Sequence, residues 1–70
     1  MAGTVARVTE ISATSDLSFE DAIMIGVARA NQTLRKVTSA WVKEQRINFD
    51  GAGTATGYQV NLLITFVLDT

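Results

Sequence analysis

The run YQVNLLITFVL at residues 58–68 carries an apolar side chain at every second position: Tyr58, Val60, Leu62, Ile64, Phe66 and Leu68. An alternation this long matches the two-residue period of a strand with one buried face, and it conflicts with the 3.6-residue period of a helix. The rest of the chain must therefore cover that face. The opposite face begins polar, with Gln59 and Asn61, then turns apolar at Leu63 and Val67, so the strand meets two environments along its length.

Residues 19–34 can supply the cover. Phe19, Ile23, Val27, Ala30 and Leu34 recur at spacings of three and four, which places them in one stripe along a helix. Ser18 followed three residues later by Asp21 forms a capping box with Asp in place of the usual Glu or Gln, and predicts a helix starting near Phe19. Met24, Ile25 and Ala28 lie off the stripe and widen the apolar surface beyond what one small sheet can cover. Arg29, Asn31, Gln32, Arg35 and Lys36 keep the far C-terminal side wet.

Two further stretches read as strands. Residues 4–11 alternate Val5, Arg7, Thr9 and Ile11 against Ala6, Val8 and Glu10, and the polar cluster at 12–16 breaks the pattern. After Val37 the period returns to two, setting Ser39, Trp41, Lys43, Gln45 and Ile47 against Ala40, Val42, Glu44, Arg46 and Asn48. Residues 50–57, rich in glycine, form a loop before the final strand. The order is strand, helix, strand, strand, in a single domain over residues 1–70.

A chain of 70 residues is small for independent folding, because a lone core of this size supplies only about 3–5 kcal/mol. With neither Cys nor His, no disulfide and no thiolate or imidazole metal site can staple it. Its hydrophobic fraction of 47% is high for so small a domain, and the excess apolar surface is expected to meet other subunits. A homo-oligomer follows.

The same composition excludes several functions. A net charge of −1 gives no broad attraction to nucleic acid. The longest apolar stretches, 22–28 and 62–68, fall far short of the roughly 20 residues of a membrane helix. The N-terminal MAGTVARVTE has no apolar segment of signal-peptide length, so a cytoplasmic location is expected. GAGTATG leads into a strand, whereas a phosphate loop opens a helix; it reads as a hairpin connection. The carboxylates show no acid/base or oxygen-ligand spacing, and no imidazole is present to activate a serine or threonine. Enzymatic activity is not expected.

Trp41 is the anomaly, because it shares its alternation with Lys43 and Gln45. Its indole can pack on the chain's own helix, or it can serve as a stacking platform for a flat ligand or a symmetry mate.

The chain resembles the dodecins, small flavin-binding proteins whose protomers assemble twelve at a time into a hollow shell. The resemblance spans nearly the whole chain and is carried by RVTEISATS at 7–15, FEDAIMIGVARANQTLRKV at 19–37, VKEQR at 42–46 and YQVNLLITFVLD at 58–69. Ala13 stands where the family's turn has Gly. The resemblance implies an α+β protomer, β-α-β-β, with a three-stranded antiparallel sheet partly wrapped around one helix, assembled as a homododecamer. It also implies a flavin, riboflavin or FMN, held at subunit interfaces between a tryptophan at the start of the second strand and a glutamine of the third. Gln59 matches that glutamine. In register the stacking position falls on Ser39, two residues before Trp41, so the indole keeps its face but lies about 6.5 to 7 Å further along. Arg46 falls where relatives carry an arginine near the ligand. Members without the tryptophan are associated with other ligands, calcium included, so a structural or calcium-binding shell is the alternative.

Overall fold

The computed structural model describes residues 3–68, in which β1 (Ala6–Ser15), α1 (Phe19–Thr33), β2 (Val37–Phe49) and β3 (Ala55–Val67) follow one another. The strands form one antiparallel sheet in the order β1-β3-β2. The strongly alternating β3 takes the centre because it alone has apolar residues enough to pack beneath a helix along its whole length. Val60, Leu62 and Ile64 are fully buried there, while Tyr58 and Phe66 are half-buried and Leu68, beyond the strand, is exposed. The β-α-β-β, α+β reading thus holds.

Capping fixes the start of α1 as expected. Ser18 Oγ accepts a hydrogen bond from the Asp21 amide at 3.0 Å. The Asp21 carboxylate does not complete the box; it accepts instead from the buried Ser15 Oγ at 2.6 Å, and Ser15 Oγ in turn accepts from the Leu17 amide at 2.9 Å. The strand-to-helix turn is therefore tied at both ends. At the other end the Leu34 amide donates to Ala30 O, and the positive φ of Lys36 turns the chain into β2.

The helix meets the sheet through smaller residues than the apolar stripe suggests. Ala22, Gly26 and Ala30 are its buried positions, with Phe19, Ile23, Val27 and Leu34 flanking them half-buried. Gly26 shows why: a Cβ there would lie 2.8 Å from Leu62 Cδ1 and 3.2 Å from Ala13 Cβ. Close approach selects the small side chains, and the bulkier ones wedge in from either side. Met24 (60% exposed), Ile25 and Ala28 remain uncovered in the protomer.

Two element boundaries and one strand interior differ from the sequence reading. β1 does not stop at residue 11 but runs on through Ser15, because Ala13 and Ser15 face the helix while Ser12 and Thr14 pair with Asn61 and Gln59 on the other side. The loop expected over 50–57 closes within 50–54. The Asp50 carboxylate accepts from the Ala52 and Thr54 amides at 2.8 and 3.0 Å, the Asp50 amide donates to Thr54 O, and Gly53 supplies the positive φ. A hairpin connection, as expected, it is shorter because the Asp side chain organises it.

The third difference matters most. In β2 the alternation is broken between Val42, opposite Leu62, and Glu44, opposite Asn61, which leaves Lys43 as an extra residue in a β-bulge. Beyond the bulge Gln45 and Ile47 lie opposite Val60 and Tyr58 on the helix side, and Glu44 and Arg46 join Trp41 on the other. The strict two-face division of residues 39–48 therefore fails at Lys43.

Candidate functional site

The sheet face turned away from α1 is ordered by its register into rows across three strands. Val8, Thr65 and Ser39 form one row, then Glu10, Leu63 and Trp41, then Ser12, Asn61 and Glu44, then Thr14, Gln59 and Arg46. Successive rows are two residues apart on β3, about 6.5 to 7 Å. The apolar-to-polar change anticipated along β3 appears here as a face that is apolar at the Leu63 end and rich in hydrogen-bonding groups at the Gln59 end.

Trp41 dominates the second row with 73% of its surface exposed. It does not pack on its own helix, which lies on the opposite side of the sheet. Next to it Lys43 Nζ crosses the central strand to reach Glu10 Oε1 at 3.1 Å, so this cation is already engaged. Ser39 and Thr65 put only small polar side chains into the neighbouring row beside Val8.

The polar rows enclose a shallow recess lined by Glu44, Gln45, Arg46, Gln59 and Asn61. Asn61 Nδ2 donates to Glu44 Oε1 at 3.0 Å and fixes that carboxylate. Gln59 Nε2 donates to Ser12 Oγ at 3.1 Å, which orients the amide and leaves its oxygen able to accept. The Arg46 guanidinium makes no hydrogen bond or ion pair among the described residues and stands opposite Gln59. An aromatic plate, an amide and a free guanidinium on one face can stack a flat ring and bond its polar edge.

All four residues singled out from the sequence, Ser39, Trp41, Arg46 and Gln59, share this face. Strict alternation put Arg46 on the side away from Trp41; the bulge at Lys43 brings it back. Glu44 and Asn61 were read from the sequence only as polar strand positions and not as a pair, since nothing in VKEQR announces a bulge and only the register joins Glu44 to Asn61. Among the described residues no three acidic side chains cluster closely enough to hold a metal ion, and no helix is long and apolar enough to cross a membrane.

Comparison with known proteins points to one family. The family model described as Dodecin matches residues 5–69. A point mutant of the dodecin from Thermus thermophilus is 38% identical, with 97% of this chain and 98% of that one covered at a TM-score of 0.88. The dodecin from Streptomyces coelicolor is 34% identical, with 100% and 99% covered at a TM-score of 0.90. A calcium chelating antigen from Mycobacterium tuberculosis, a calcium dodecin with a novel calcium-binding site, is 32% identical, with 94% and 93% covered at a TM-score of 0.81. No match was found among curated proteins.

Proposed function

This chain belongs to the dodecin family, and from that premise we propose that it is a homo-oligomeric binding protein that sequesters a flavin, riboflavin or FMN, against the outer sheet face. Dodecins are binding and storage proteins, not enzymes, and form homo-oligomers. In this reading the protein assembles as a cytoplasmic homododecamer, and the ligand lies where subunits meet.

The observation that carries the reading is the exposed indole of Trp41 on the same face as Gln59 and Arg46. A tryptophan represents a large apolar area, and covering it with a flat ring contributes both area burial and stacking. The Gln59 amide and the Arg46 guanidinium then bond the ring's polar edge. Ser39, at the family's stacking position, gives the ring clearance instead of a second plate. Binding of this kind needs neither nucleophile nor base.

Titration of riboflavin and FMN with purified protein tests the proposal. Flavin fluorescence is expected to be quenched on binding, and Trp41→Ala is expected to weaken binding at least about tenfold, the equivalent of roughly 1.4 kcal/mol of lost contact. No quenching at micromolar protein overturns the flavin reading, and an unchanged titration of the Trp41→Ala variant overturns Trp41 as the platform.

A second reading, a structural or calcium-binding shell, is favoured by the calcium dodecin among the relatives and by Ser39 at the stacking position. In that case a colourless particle ignores flavin, and its thermal stability rises with added calcium.

A further inference from the structure

We infer that the Asp50–Gly51 linkage at the tip of the β2–β3 hairpin is a self-modification site. There the Asp50 side chain closes on the Gly51 amide as a succinimide, which reopens in part as an isoaspartyl bond. Of the aspartates Asp16, Asp21, Asp50 and Asp69, only Asp50 is followed by glycine. Glycine presents no Cβ to block an approach to its own nitrogen. Both residues are exposed, and a Cβ built on Gly51 would meet nothing within 4 Å, so the tip has room for the ring.

The turn brings the reacting atoms together. Asp50 Oδ1 accepts from the Ala52 and Thr54 amides at 2.8 and 3.0 Å, which draws the side chain forward across Gly51 and its Cγ over the Asp50–Gly51 peptide. The Gly51 amide donates no hydrogen bond among the described residues, so its nitrogen is not tied elsewhere. The two amides aimed at Oδ1 are also placed to stabilise the charge that grows on that oxygen when the nitrogen attacks. In that step a bond forms between Gly51 N and Asp50 Cγ, and the amide proton leaves with the protonated carboxyl oxygen as water. Nothing is oxidised or reduced. Water then opens the ring. Cleavage at Cγ restores aspartate, whereas cleavage at the Asp50 main-chain carbonyl carbon leaves the chain running through Cγ and frees that carbon as a carboxylate. In the isoaspartyl product Cγ belongs to the main chain, so the turn loses the side-chain cap on Ala52 and Thr54 that organises it.

Peptide mass spectrometry of the assembled protein, aged at physiological temperature and near-neutral pH, tests the inference, with enzymatic methylation of isoaspartyl carboxylates as the second readout. A species one water lighter and then an isoaspartyl isomer are expected, both confined to the peptide holding Asp50, while those holding Asp16 and Asp21 stay unchanged. Gly51→Ala should slow conversion by about tenfold, because the new methyl crowds the attacking nitrogen. Gly51 lies in open space with φ outside the left-handed region, so the variant keeps the turn. The folded assembly should convert at least as fast as the chain unfolded in urea, since the turn has already gathered the reacting atoms. Absence of both products from the aged assembly, or slower conversion there than in urea, overturns the inference. So does a Gly51→Ala variant that converts at the wild-type rate.

Discussion

Deletion of Lys43 is the sharpest perturbation this architecture offers. If Lys43 is a bulge residue, its removal joins Val42, opposite Leu62, directly to Glu44, opposite Asn61, and every other pairing of β2 survives. The cost is the ion pair to Glu10, whose side chains are 48% and 45% exposed and which is therefore worth no more than about 1 kcal/mol after solvent screening. Against it stands one fewer backbone residue to order, about 1–2 kcal/mol. The two terms nearly offset, so the deletion variant should lie within about 1 kcal/mol of the wild type. An unbroken strand would behave differently. The deletion would then flip every residue beyond it to the other face and slip its pairing with β3 by one against the tight 50–54 turn, a loss of about 2–3 kcal/mol from broken pairing and packing. Urea unfolding followed by Trp41 fluorescence measures the difference, at one fixed protein concentration because assembly contributes to apparent stability. A loss above about 2 kcal/mol would refute the bulge and, with it, the shared face of Trp41 and Arg46.

Two other substitutions probe the turn and the helix contact. Gly26→Ala gains up to about 1 kcal/mol of helix propensity but forces a methyl to within 2.8 Å of Leu62 Cδ1, and overpacking of about 1–3 kcal/mol should prevail; the urea midpoint should fall, and a rise would show that the helix can lift off the sheet without cost. Ser18→Ala removes the acceptor of the Asp21 amide and should cost about 1 kcal/mol by the same measurement, with no loss arguing that Ser15 alone holds the turn.

The fold was legible wherever hydropathy kept one period. Residues 58–68 announced the central strand, and Ser18 with Asp21 announced the helix start, because both signals are local and strong. The end of β1 was hidden because Ser12, Thr14 and Ser15 resemble turn residues; their strand character comes from Asn61 and Gln59 across the sheet and from Asp21 beyond the turn, partners distant in sequence. The seat of the helix was hidden for a similar reason, since how near α1 comes to Leu62 is a property of two surfaces and not of the stripe on one. Trp41, Gln59, Arg46 and Ser39 were visible as residue types and through resemblance. Their common face was not, because one unpaired residue inverts the alternation and the sequence around Lys43 is as regular as any strand. Glu44 acquires its meaning only from Asn61 beside it.

A crystal structure of the assembled protein grown with riboflavin tests the central claim most directly. The account predicts a ring system lying parallel to the Trp41 indole at about 3.5–4.0 Å, with its polar edge at Gln59 and Arg46. An indole covered by a neighbouring subunit's side chains, with the flavin bound elsewhere or not at all, would contradict it.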